Sequence, residues 1–130
     1  MIALDTSAIV AIALEEPEEE TFSRVLAADH GFVGTPILVE ARMVLTSKMA
    51  DVDTFLERFL RRPSVHPVAF SLPMYQYAVE AFDRFGKGRG HPAQLNICDC
   101  MAYAVAKAHD VPLLFKGTDF GLTDIRTALP

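Results

Sequence analysis

Four carboxylates stand at places that call for an explanation: Asp5, Glu40, Asp99 and Asp119. Asp5 closes the apolar run "MIALD", and Asp119 follows "VPLLF" after a short polar stretch. Both are expected just beyond the carboxyl ends of strands, the edge at which open α/β sheets bind ligands. An Asp in such a place also commonly caps a helix, and for either residue alone that is the plainer reading. Glu40 has Ile37 at i−3 and Val44 at i+4, which puts it within the apolar stripe of a helix read from "PILVEARMVLTSK". Asp99 is expected on a similar face, with Leu95 and Ala102 at i−4 and i+3 and Cys98, Met101 and Val105 completing the apolar surface. A buried carboxylate is costly unless it is paired, protonated or bound to a metal; a buried salt bridge is the alternative for Glu40. Acids converging from such places would repel one another without a cation, and oxygen-rich acidic clusters suit Mg²⁺ or Mn²⁺.

Cys98 and Cys100 flank Asp99 and offer a rival chemistry. At about 100° per helical residue they project about 200° apart. Two thiolates so placed cannot face one zinc or close a relaxed disulfide, and the C-x₂-C spacing is absent. Each cysteine is therefore expected as a small buried apolar residue, and Asp99 as the functional one.

The elements that would position these acids alternate along the chain. "MIALD" and "HGFVGTP" read as strands, as do "HPVAF" and "VPLLF". Between them lie helices in "SAIVAIALEE", "EPEEETFSRVLAA", "PILVEARMVLTSK", Val52 to Leu60, "LPMYQYAVEAFDRF" and the segment around Asp99. Asp5, Thr6 and Ser7 supply capping oxygens for the first helix. Thr35 is expected to cap the third with Pro36 in its first turn, and Pro92 to open the Asp99 helix. "KGTDFGLTDI" reads as a polar turn with a short helix. Such alternation implies a mainly parallel sheet covered on both faces, in one domain spanning residues 1–130.

Composition agrees with a packed domain: 51% of the residues are hydrophobic and 22% charged. No apolar run approaches the ~18 residues of a membrane span. The apolar stretch from Ile2 lacks a basic leader and is interrupted by Asp5, so a reduced, cytoplasmic chain is expected. A formal net charge of −5 argues against simple charge-driven coating of nucleic acid, but not against an enzyme that recruits cations first. The densest basic group is Arg84, Lys87, Arg89 and His91 in "RFGKGRGH", a candidate set of RNA-phosphate contacts. "FGKGRG" matches no phosphate-loop pattern, and "DTSA" lacks the second Asp of a D-x-D phosphatase.

"LDTSA", the helical Glu40, "DCMAYAVAK" and "LLFKGTDFGLTDI" together resemble the PIN domain, and most closely the VapC-type toxins of bacterial toxin–antitoxin systems. The resemblance covers essentially the whole chain, with one inserted glycine, Gly90, in the usual "GRHP" run. It implies a three-layer α/β/α fold and a Mg²⁺- or Mn²⁺-dependent endoribonuclease that leaves 5′-phosphate and 3′-hydroxyl ends. It places the family's acidic positions on Asp5, Glu40, Asp99 and Asp119, and its nearby hydroxyls on Thr6 or Ser7 and on Thr118. Asp5, Asp99 and Asp119 would be the principal metal ligands, and Glu40 would bind metal or orient the attacking water. Asp124 either joins them or caps the last turn. The resemblance also implies an RNA substrate, a VapB-like antitoxin and a homodimer, with the apolar helices "SAIVAIAL" and "FLERFL" as partner surface. A non-catalytic RNA-binding module and a small-molecule phosphatase are the alternatives.

Overall fold

Ile2, Ala3 and Leu4 present no polar side chain to water, and they form a fully buried strand, β1 (Ile2–Leu4). The computed structural model describes residues 1–129; Pro130, the last residue of the expected domain, lies outside them. After β1 come α1 (Thr6–Ala13), α2 (Glu19–Asp29), β2 (Gly31–Gly34), α3 (Thr35–Leu45) and α4 (Val52–Leu60). The chain continues through β3 (Val65–Val68), α5 (Leu72–Phe85), α6 (Ile97–His109), β4 (Leu113–Leu114) and a 3₁₀ turn (Phe120–Leu122). The sheet order is β3-β2-β1-β4, and every adjacent pair is parallel.

Neighbouring residues of β2 show how the layers form. Successive strand residues point to opposite faces. A Cβ on Gly31 would lie 2.8 Å from Leu26 Cδ1 of α2, whereas the Phe32 ring stacks on His109 of α6 with centroids 4.0 Å apart. Thus α2 and α6 cover opposite faces, and the expected α/β/α sandwich is what forms. Right-handed crossovers give the same answer: the chain steps from β1 to β3 in one direction, then returns past β1 to β4.

Gly34 brings two functional helices together. A Cβ there would stand 2.9 Å from Val105 Cγ2 of α6, so only glycine lets α3 start this close to α6. Two local expectations fail. Thr35 is the first residue of α3 rather than its cap: Gly34 holds that position, and no side chain caps the helix. Pro92 does not open α6. The helix begins at Ile97, after Asn96, because the Asn96 side chain accepts from Asp99 N and so satisfies an orphan backbone donor of the first turn. Leu95 consequently lies before the helix, buried beneath it.

Candidate active site at the carboxyl edge of the sheet

Asp5 leaves β1 and immediately caps α1. Its Oδ2 accepts the Ser7 N–H at 3.0 Å and the Ser7 hydroxyl at 2.6 Å. The residue is buried, only 6% exposed. Burial pushes its carboxyl pKa up, the Ser7 hydrogen bonds pull it down, and the nearby Glu40 charge raises it further; the net shift is upward. Ser7 also fastens the far side of the site: its Oγ accepts the Lys116 backbone N–H at 2.9 Å. The segment after β4 is thereby tied to the segment after β1.

Asp99 occupies the third position of α6 and closes a capping box. Its N–H donates to Asn96 Oδ1 at 2.8 Å, and its Oδ2 accepts the Asn96 N–H at 3.0 Å. The half-buried carboxyl is pushed up to about 6, first by burial and then by the charges of Asp5, Glu40 and Asp119, against the lowering effect of the Asn96 bond. Glu40 sits on the margin of the α3 stripe, not inside it. Ile37, Ala41 and Leu45 face the core, while Glu40 and Val44 are half-buried and line the cleft.

Asp5, Thr6, Ser7, Glu40 and Asp99 thus converge on one cleft of about 330 Å³, completed by Val10, Val44, Glu16 and Lys116. Thr118 and Asp119 are exposed and do not line it, although the Asp119 charge is felt at Asp99. Among the described residues, no three His, Cys, Asp or Glu side chains are drawn into a closed metal cage. The donors nevertheless fit a hard cation: they are carboxylate oxygens held in mutual repulsion, and the buried Thr6 Oγ1 beside them has no hydrogen-bond partner.

Three expectations need correction. Asp124 neither joins the cleft nor caps a turn; it accepts from Tyr103 Oη and Lys107 Nζ, each at 2.8 Å. Burial raises its pKa, but those two bonds and the charges of Lys107 and Arg84 together outweigh it and hold the carboxyl below its ordinary value. Second, Cys98 is not merely packing. It is half-exposed and lines a cleft together with Glu40, and burial with the neighbouring Glu40 carboxylate pushes its thiol up to about 12. Cys100 is buried as expected, and the two cysteines line different clefts on either side of α6. The basic candidates Arg84, Lys87, Arg89 and His91 lie outside the lining of the acidic cleft. Arg84 pairs with Glu80 and Asp124, and His91 Nδ1 accepts from Ala93 N at 3.0 Å. Third, α1 does not offer an apolar outer face, since Ala8, Ile9, Ala11 and Ile12 are all buried; α4 buries Phe59 but leaves Leu60 exposed and Phe55 and Leu56 half-buried. Further exposed large apolar side chains lie on α3 and α5 and at the start of α6, among them Val39, Met43, Tyr75, Phe82 and Ile97.

Glu16 and Lys116 escaped the sequence reading. Glu16 lies in "EEPEEE", whose composition reads as a solvated helix start, and Lys116 lies in a polar turn. Nothing local marks either as facing an active site.

The PIN domain family model matches residues 2–125. The chain belongs to the PIN domain family. Among curated relatives, Ribonuclease VapC30 of Mycobacterium tuberculosis is 39% identical over 132 aligned residues, covering 99% of this chain and 100% of the relative. Ribonuclease VapC of Mycolicibacterium smegmatis is 40% identical, covering 95% and 97%. The fold is similar to that of Mycobacterium tuberculosis VapC20, described as a sarcin–ricin-loop-cleaving toxin, with a TM-score of 0.77, 16% identity and full coverage of both chains. VapBC2 from Rickettsia felis, solved with a DNA fragment from its promoter, aligns with a TM-score of 0.73, 18% identity and 98% and 96% coverage.

Proposed function

We propose that this PIN domain protein is a divalent-metal-dependent endoribonuclease and the toxin of a type II toxin–antitoxin pair. The observation that carries this reading is the convergence of Asp5, Glu40 and Asp99 in one cleft, from three elements distant in sequence. The curated relatives at 39–40% identity, named as ribonucleases, support the reaction class. Asp5 and Asp99 would hold the ion, Mg²⁺ with Mn²⁺ as substitute, with Asp119 as a further acidic ligand. The Ser7 hydroxyl and the Asn96 N–H fix the orientations of those two carboxylates, and Thr6 Oγ1 is a free polar group beside them. The bound cation supplies charge neutralisation at the phosphate and acidifies water. Glu40, half-buried and free to accept, orients the attacking water opposite the leaving 3′-oxygen, so that the products carry 5′-phosphate and 3′-hydroxyl ends.

A cytoplasmic location suits an RNA substrate and a VapB-like antitoxin, both of which are made there. No helix among the described residues is long and apolar enough to cross a membrane. An antitoxin that inserts a basic side chain among the carboxylates would compete with the cation. The exposed apolar side chains of α3, α5 and the start of α6 suit a homodimer contact. The deciding experiment incubates purified protein with defined tRNA and rRNA fragments in Mg²⁺, Mn²⁺ or EDTA. Cleavage is expected with either cation and not in EDTA. Wild-type protein that is folded and leaves every fragment intact in both cations would overturn the nuclease reading.

A further inference from the structure

A cleft lined by carboxylates repels the polyanion it is proposed to cut. Besides a divalent ion held by the acids, a basic side chain at the cleft would ease the approach of the phosphate backbone. The basic residues of the 84–91 loop do not line this cleft; Lys116 is its only basic lining residue among those described. Its backbone is fixed close to the chemistry, since its N–H donates to Ser7 Oγ and that hydroxyl in turn donates to Asp5 Oδ2. Its side chain is held differently. Nζ stands 3.3 Å from Glu16 Oε1 and 3.2 Å from Glu18 Oε2, at the end of a flexible stem 40% exposed to solvent. Partly exposed ion pairs of this kind contribute little to stability and exchange readily. The Glu18 contact is also poor as a hydrogen bond, for Glu18 Oε2 is buried without a well-directed donor.

We infer that Lys116 is the phosphate-binding residue of this cleft, held on Glu16 and Glu18 in the RNA-free protein and transferred to a backbone phosphate when the RNA strand enters. The inference rests on the nuclease reading and adds to it a residue and an internal competitor. Glu16 and Glu18 occupy the ammonium until a phosphate replaces them, so RNA must displace an intramolecular pair to bind. The arrangement places a positive charge on the cleft wall, on a residue whose backbone N–H is two hydrogen bonds from the Asp5 carboxylate. A purely structural role is the rival account: Lys116 would then only fasten the turn between α1 and α2 to the segment after β4.

Binding in EDTA separates the two accounts and is independent of cleavage. The readout is fluorescence anisotropy of a short fluorescein-labelled single-stranded RNA, titrated at several NaCl concentrations. Lys116→Gln is expected to weaken binding about tenfold, the scale of one lost charge-assisted hydrogen bond. It should also flatten the slope of log K against log salt by about 0.7, the signature of one lost phosphate contact on a single strand. Lys116→Arg should keep the wild-type slope. Glu18→Gln should tighten binding several-fold in the wild-type background and not in the Lys116→Gln background, because its effect passes through the released ammonium. An unchanged slope in Lys116→Gln overturns the inference, as does equal tightening by Glu18→Gln in both backgrounds or no RNA binding by the wild type. Salt slopes as expected, without metal-dependent cleavage by the wild type, would instead overturn the nuclease reading and leave Lys116 as an RNA contact.

Discussion

Asp99 has two tasks, and they separate at a single atom type. Its side chain accepts the Asn96 N–H to close the capping box, and its charge is felt among Asp5, Glu40 and Asp119. Asparagine keeps an acceptor oxygen and loses the charge. Asp99→Asn is therefore expected to fold with a melting temperature close to wild type while RNA cleavage falls by about a hundredfold or more, the scale of losing a principal electrostatic group. Near-wild-type turnover by the folded variant would remove Asp99 from the reaction. The same carboxyl also makes a pH signature. Its pKa in the folded chain is about 6 against an ordinary 3.8, so the folded state holds a proton that the unfolded chain releases. The metal-free protein therefore loses stability as pH rises through that window, and Asp5, shifted the same way, adds to the loss. Cation binding requires the deprotonated form. The rise in melting temperature on adding Mg²⁺ should be small near pH 5 and grow as the pH passes about 6. A metal increment that is flat with pH, measured by differential scanning fluorimetry, would count against Asp99 as a ligand.

At the scale of elements, the site depends on how closely α3 approaches α6. Glu40 rides on α3 and Asp99 on α6, and the contact between Gly34 and Val105 sets their spacing. Val105 is β-branched and buried, so it cannot swing aside to admit a methyl group. Gly34→Ala is expected to cost about 1–3 kcal/mol in urea denaturation through overpacking. Cleavage should fall as well, since relief of the clash moves Glu40 away from Asp99. A variant with wild-type stability would show that the two helices yield to each other freely. Ser7 makes the second such join, bridging Asp5 after β1 to Lys116 after β4. Adjacent parallel strands deliver both segments to the same edge, and one hydroxyl then holds them in register.

For the whole molecule, a net charge of −5 and an acidic cleft mean that RNA is met by local cations, not by a general positive field. The acidic cleft equally suits a basic partner segment, and the exposed apolar side chains on α3, α5 and the start of α6 provide further surface for association. Inducible expression of wild type alone is expected to arrest growth of a bacterial host. Asp5→Asn should not, and co-expression of the small open reading frame adjacent to the gene should restore growth to wild type. Normal growth with soluble, folded wild-type protein and no neighbour present would sink the toxin assignment and favour a housekeeping nuclease of the same family.

Periodicity and punctuation along the chain were enough to determine the alternation of strands and helices. A short apolar run ending in Asp5 fits a buried strand, and "VDTFLERFL" shows its helical spacing within nine residues. The acids at Asp5, Glu40 and Asp99 were legible for a similar reason: each interrupts or borders an apolar pattern, so local chemistry marks it as costly. Asp99's share in the capping box was also written locally, in the Asn three residues before it, but an apolar reading of the surrounding face obscured it. Only the tertiary structure decided which side of α6 each cysteine faces, and that Cys98 shares a cleft with Glu40. It alone decided that Asp124 belongs to Tyr103 and Lys107, and that α1 is covered while α5 is not. The physical reason is that these outcomes depend on contacts between residues far apart in the chain. A lysine in a polar turn and a glutamate in an acidic run carry no local cost that would single them out. Lys116 and Glu16 acquire their meaning when parallel packing of β1 and β4 brings residues about a hundred positions apart to one cleft.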